Sequence, residues 1–265
     1  MTFFTLSDMG KVRVNNEDYA ESFAFKLCNP DGSFKKVVVM LLCDGMGGGP
    51  AGERASYLAV KTMKSCILEE YIAQEKEVSN EVLLEHLEKY IQKSHFNIYK
   101  EGLEDQELYG MGTTIVAGAI IQDNLLLTHV GDSRGYCFSN KELRLLTKDH
   151  SLVQQYVDEG KITQEEAFYH PQRNIITRVL GAGSGAPVKV DKKDVPLADG
   201  DIVMFCTDGL CGVLEEKEIT EIFNEYYNID GTDLKALANH LIQAACLKGG
   251  PDNVTVCLYQ HKISK

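Results

Sequence analysis

One apolar run constrains this chain more than any other stretch: VVVMLLC at positions 37–43, with no polar residue in it. It falls well short of the roughly 20 residues that cross a bilayer. Its mix of β-branched and large apolar side chains reads as a strand buried on both faces. The run delivers Asp44 straight into the glycine-rich turn GMGGGPAGE, where a helix begins. Taken alone, that is an ordinary strand-turn-helix junction with a turn-forming acid. Two more acids, Asp208 and Asp252, lie beside glycines at the edge of other apolar runs, and the recurrence points to a shared purpose.

The 265 residues are 44% hydrophobic and 25% charged, ordinary values for one soluble domain, so a single domain over 1–265 with a substantial core is expected. The net charge is -12 and the basic residues form no run or patch, which disfavours nucleic acid and anionic membranes as partners. An acidic protein that handles phosphate must first neutralise its own carboxylates, so a phosphate substrate would bring a metal with it. The N-terminal stretch MTFFTLSDMGKV lacks a basic segment followed by an apolar one, and a cytoplasmic location is expected. None of the 8 cysteines forms a CxxC, and they read as reduced core residues.

Along the chain, strands are expected at 2–7 and 19–27, the latter joined by the turn Asn29-Pro30-Asp31-Gly32 to the 37–43 strand as an antiparallel pair. Helical spacing predicts helices over 52–73 and 79–101, with Ser79 and Asn80 as capping candidates, packed as a layer on a sheet. Apolar runs at 115–121, 125–130, 135–138 and 143–146 are separated by turns too short for crossover helices, so an antiparallel meander is expected, with Asp132 at one turn. Residues 148–185 are polar, with a short helix at 152–159 and a second one capped by Thr163, and form a flap or surface excursion. His150 and His170 read as structural or surface residues. Strands at 188–190, 202–206 and 254–259 and helices at 215–227 and 233–247 complete the reading.

Several chemistries fail on the sequence. Gly47 to Gly52 formally match G-x-G-x-x-G, but no acid ends a second parallel strand downstream and Asp44 would face the pyrophosphate. The same loop continues with Glu53-Arg54 and not with the Lys-Ser/Thr of a P-loop. No cysteine is followed six positions later by arginine, and no G-x-S-x-G occurs, so a nucleophilic side chain is not expected. What remains is oxygen ligands: Glu17, Asp44, Asp208 and Asp252 suit Mg2+ or Mn2+ better than zinc. Two such ions about 3.5–4 Å apart acidify a shared water, and Arg13 can fork onto phosphate oxygens.

The chain resembles the metal-dependent PPM family, the type 2C serine/threonine protein phosphatases, and their compact bacterial-type members in particular. The matching blocks run in family order: SDMGKVRVNNED, CDGMGGGPAGERAS, GMGTT, HVGDSRGY, LTKDHSLV, EGKITQEEA with HPQRNIITRVLG, ADGDIVMFCTDGL and GGPDNVTV. The resemblance implies an α+β fold, a four-layer α-β-β-α sandwich of two antiparallel sheets flanked by helices. It implies that Asp44 bridges two Mn2+ or Mg2+ ions, that Gly45 offers its carbonyl, that Asp208 and Asp252 complete the first ion, and that Glu17 holds the second. Asp18 would orient metal waters, Arg13 would bind the substrate phosphate, and Asp132 with Asp208 would hold a weaker third ion. The implied reaction is hydrolysis of phosphoserine and phosphothreonine monoesters by a hydroxide bridging the two ions. Its substrates would be phosphorylated proteins, products of a serine/threonine kinase. No sequence signal points to an obligate oligomer, and a monomer is expected.

Two departures stand out. The histidine that animal members carry two residues after the bridging acid is Met46 here, as in bacterial members, so the leaving group's proton comes from elsewhere. Gly49 replaces a histidine usual in bacterial members. A small-molecule phosphate monoesterase and a non-catalytic phosphoprotein sensor of the same fold remain the alternatives, the second requiring a damaged acid set that the sequence does not show.

Overall fold

The computed structural model describes residues 2–28, 34–47, 50–73 and 79–263. In chain order the first half holds β1 (Phe3–Asp8), β2 (Asp18–Cys28), β3 (Phe34–Met46), α1 (Pro50–Ala73), α2 (Asn80–Glu104), the two-residue β4 (Gly112–Thr113), β5 (Ile115–Ile121) and β6 (Asn124–Val130). The second half holds β7 (Arg134–Ser139), β8 (Glu142–Leu145), α3 (Leu152–Asp158), α4 (Gln164–Tyr169) and β9 (Asp191–Pro196). It ends with β10 (Ile202–Cys206), α5 (Asp208–Cys211), α6 (Glu216–Tyr226), α7 (Leu234–Leu247) and β11 (Val254–Gln260).

These strands form two antiparallel sheets, β1-β11-β10-β7-β8 and β2-β3-β5-β6-β9, with β4 paired to the end of β3. The two-residue period of β3 explains why its apolar run is unbroken. Val37, Val39, Leu41 and Cys43 pack against α1 and α2, whereas Val38, Met40 and Leu42 face the other sheet. There they meet Val203, Phe205 and Cys257 from β10 and β11. The outer face of that second sheet is covered by α6 and α7 through Ile219, Phe223, Leu237 and Leu241. The result is the expected α-β-β-α sandwich, and each fully buried aromatic such as Phe205 or Phe223 contributes about 1.5–3 kcal/mol by leaving water.

The caps act where the sequence places them. Ser79 accepts from the Val82 amide, and Thr163 and Glu166 form a reciprocal capping box at α4. Two expectations need correction. The runs from 115 to 146 are not one meander but two hairpins, β5–β6 in one sheet and β7–β8 in the other. Periodicity identifies strands without assigning them to a sheet, and the short link Gly131-Asp132-Ser133 crosses between the sheets. The strand expected at 188–190 begins instead at Asp191, because the Gln92 side chain takes up both the carbonyl and the amide of Val188. The strand itself, DKKDVP, is a charged sheet edge ending in proline, which carries no apolar signature. The turn at residues 29–32 and Gly49 lie outside the described residues.

Candidate metal centre and phosphate site

The acids gather where the two sheets meet at one end. Asp18 opens β2 directly opposite Asp44 near the end of β3, so the antiparallel ladder itself sets two carboxylates side by side. Asp208 starts α5 immediately after β10, and Asp252 precedes β11. Glu17 is held by its backbone: its amide donates to Asn253 Oδ1 at 2.8 Å, and its carbonyl accepts from the Gly45 amide at 3.1 Å and Ser56 Oγ at 2.6 Å. Gly45 has no room for a side chain, since a Cβ there would sit 2.1 Å from the Gly52 carbonyl oxygen. Asp132 arrives on the crossover between the sheets and is only 6% exposed.

The electrostatics of this cluster are unfavourable without a cation. Burial, followed by repulsion from Asp18, Asp208 and Asp132, holds the Asp44 carboxyl well above the usual carboxylate range. Burial together with Asp208 and Asp149 does the same to Asp132. Asp208 is raised by burial and by Asp252, and it shares a hydrogen bond with Asp44. Asp18 is pushed up to about 7 by burial, although Thr255 and Thr207 oppose the shift by donating to its Oδ2 at 2.6 and 2.9 Å. Buried oxygens of Asp18 and Asp132, the Oδ1 of each, have no hydrogen-bond partner. Crowded carboxylates with orphaned oxygens are what a hard divalent cation requires, and the donor set therefore fits Mg2+ or Mn2+.

Arg13 lies at the mouth of the cluster, half exposed, with Nη2 2.7 Å from Asp252 Oδ2. It lines a cleft of about 520 Å³ together with Asp132, Asp208 and Asp252. The opposite wall is the 148–185 excursion, through Val153, Ala167 and Phe168, facing Val213 beyond α5. Cys211 also lines the cleft, but a hydrogen bond with Cys206 and burial hold its thiol well above the usual range, so it offers no thiolate for covalent catalysis. Among the described residues no disulfide pairs the cysteines, most of which are buried.

Sequence reasoning missed the residues that hold the acids. Asn253 donates to the carbonyls of Met9 and Asn15, both at 2.9 Å, and so ties down the loop that carries Arg13 and Glu17. Thr114 Oγ1 accepts from the Asp44 amide at 3.0 Å, and Thr113 Oγ1 donates to the Asp44 carbonyl at 2.8 Å. The available signal was polar residues inside apolar runs, the two threonines of GMGTT and Thr255 in VTV.

A family model described as protein phosphatase 2C matches residues 31–242. The chain belongs to this family. The serine/threonine phosphatase Stp of Listeria monocytogenes is 34% identical over 98% of this chain and 95% of its own length. The solved serine/threonine phosphatase of S. agalactiae superimposes with a TM-score of 0.80 at 35% identity, over 98% of this chain and 99% of that one. The catalytic domain of the phosphatase PstP, solved in complex with two manganese ions, gives a TM-score of 0.77 at 32% identity over 97% and 96% of the two chains. In this phosphatase 2C chain the fold is therefore the family's sandwich, and divalent-metal dependence accords with the acid cluster. No helix among the described residues is long and apolar enough to cross a membrane.

Proposed function

We propose that the chain is a metal-dependent serine/threonine protein phosphatase that hydrolyses phosphoserine and phosphothreonine monoesters of proteins phosphorylated by a serine/threonine kinase. The observation that carries this reading is the convergence of Asp18, Asp44, Asp132 and Asp208, all raised in pKa by shared burial and mutual repulsion, beside an arginine at the mouth of a cleft. The full-length similarity to named serine/threonine phosphatases supports the substrate class.

When bound, divalent ions supply an acidified water as nucleophile and offset the charge of the phosphate. Asp44 would serve two ions, Asp208, Asp252 and the Gly45 carbonyl would complete one, and Glu17 the other. Either Mn2+ or Mg2+ would suit this all-oxygen donor set. Asp132 would hold a third, weaker ion with Asp208, whose charge raises the Asp132 carboxyl more than that of any other acid. Asp18 would orient metal-bound waters, its Oδ2 held by the Thr207 and Thr255 hydroxyls. Arg13 exchanges Asp252 for the substrate phosphate, and its exposure at the cleft mouth supports that exchange. Residues 148–185 form the flap of a single domain over 1–265 and contact the protein substrate. The enzyme acts as a monomer in the cytoplasm, a setting that unpaired buried cysteines suit.

The test is hydrolysis of a phosphothreonine peptide and of p-nitrophenyl phosphate, with EDTA and then with added Mn2+ or Mg2+. Turnover only with metal, and a preference for the peptide, is the expected result. Full activity in Asp208→Asn would sink the metal assignment. Preference for the small ester would instead assign the chain to small-molecule phosphates.

A further inference from the structure

Away from the acid cluster, His129, His150 and Asp191 bring potential ligand atoms within 4.8 Å of one another. Their hydrogen bonding argues against a metal there. Two donors face the His150 ring, the Gly131 amide at Nδ1 (2.9 Å) and Arg178 at Nε2, and a neutral ring accepts from only one of them. Arg178 Nη1 has the Lys189 carbonyl and Asp191 Oδ1 for its hydrogens, so the lone pair is assigned to Nδ1, facing the amide. Arg178 Nη1 sits 2.7 Å from Nε2 and 3.0 Å from Asp191 Oδ1, and its guanidinium already supplies the cation of the group. Burial, then His129 and Arg178, push His150 down to about 4, which keeps it neutral and its Nδ1 free to accept.

This histidine grips one residue from two sides. Its Nδ1 accepts from the Gly131 amide, and its own amide donates to the Gly131 carbonyl at 2.9 Å. Gly131 adopts φ +113°, and a Cβ there would lie 2.6 Å from Thr114, so its backbone has a single tightly bounded course. The next residue is Asp132. On its other side, Ser133 Oγ is 2.7 Å from Thr114 Oγ1, the same hydroxyl that receives the Asp44 amide. The His150 ring stacks on His129 at 4.7 Å between centroids, nearly parallel. Its carbonyl accepts from Thr177 at 2.7 Å, which joins the two roots of the flap.

We propose that His150 is a positioning residue: by clamping the backbone of Gly131 it aims the Asp132 carboxylate at the third-ion position and makes the root of the flap part of that ion's support. The proposal rests on the reading of Asp132 as a ligand of a third ion. It accounts for a buried, neutral histidine whose acceptor nitrogen and backbone are both spent on the residue before an acid.

The test compares His150→Asn, His150→Leu, Asp132→Asn and the double variant His150→Leu/Asp132→Asn. Mn2+ binding to the metal-free proteins is measured by equilibrium dialysis, alongside the Mn2+ dependence of phosphothreonine-peptide hydrolysis. Asparagine keeps a side-chain acceptor at the Nδ1 position, and leucine does not. His150→Leu is expected to weaken the weakest Mn2+ site about 10-fold or more and leave the two tighter ones alone, as loss of a ligand's support does. His150→Asn is expected to stay near wild type. The double variant is expected to match Asp132→Asn, because the two changes act through one carboxylate. Unchanged weak-site binding in His150→Leu, or a double variant worse by the product of the single effects, overturns the proposal. If Asp132→Asn itself leaves every Mn2+ site intact, the third-ion reading falls first and the proposal with it. Should the leucine variant not fold, His150→Gln carries its amide at the Nε2 position and leaves Gly131 without an acceptor, so it is expected to behave as leucine does.

Discussion

Asp18 and Asp44 face each other across the β2–β3 ladder, and the Oδ2 of Asp18 is fixed by two buried threonine hydroxyls while its Oδ1 is left without a partner. A carboxylate so constrained serves the cluster and not the strand. Asp18→Asn is therefore expected to lower Mn2+ affinity or turnover by about 10–100-fold while the circular dichroism spectrum stays native. A variant with wild-type Mn2+ dependence would remove Asp18 from the site.

Arg13 lines the cleft and pairs with Asp252. A charge-assisted hydrogen bond to phosphate contributes about 1.5–3 kcal/mol, so Arg13→Ala is expected to raise KM about 10–100-fold with a smaller change in kcat. Steady-state kinetics on one phosphopeptide decide the matter; an unchanged KM would mean that another group anchors the phosphate.

The raised acids set a pH dependence. Asp18 keeps its proton in the folded state up to about 7 and releases it at roughly 3.9 when unfolded. The stability it contributes is thus fully present below the unfolded value and is lost as pH rises through the folded one. The metal-free protein is expected to lose stability across that window, and Asp18→Asn, which cannot titrate, to flatten the loss. Mn2+ is expected to raise Tm more at about pH 8 than at about pH 6, since protons compete with it for the same oxygens. Melting curves with EDTA and with Mn2+ at both values provide the check; an equal gain would contradict the competition.

Asn253 spends its side chain on Glu17, Met9 and Asn15. Asn253→Ala is expected to cost about 0.5–1.5 kcal/mol per hydrogen bond lost to these part-buried backbone groups, and to lower kcat/KM by loosening the loop that carries Arg13 and Glu17. Thermal melts and kinetics on the same preparation test both halves. A variant that melts lower with intact kcat/KM would confine Asn253 to stability.

Much of this was legible in the residues. The 37–43 run could only be a strand covered on both sides, and the acid at its end shares a cluster with Asp208 and Asp252 as the motif order implied. The caps at Ser79 and Thr163 were readable because capping depends on neighbours in sequence. What escaped was set by pairings distant in sequence. Nothing local marks the Gly131-Asp132-Ser133 link as a crossing between sheets, and an edge strand as polar as DKKDVP carries no period to find. The supports of the site were hidden for the same reason: Thr207, just after β10, and Thr255, in β11, reach Asp18 across 189 and 237 residues of sequence.

The 148–185 excursion is fastened at both roots to backbone that borders the acids: His150 holds Gly131 on one side, and Leu180 exchanges hydrogen bonds with Thr113, the neighbour of Asp44, on the other. A segment stapled at its ends and built of short helices between them separates two kinds of change. If the excursion contacts the phosphoprotein, as proposed, residues at its middle would be free to change with the substrate, whereas alterations at its roots would reach the backbone that borders the acids. On that reading, selectivity and catalysis would fall under separate mutational control within one stretch of chain.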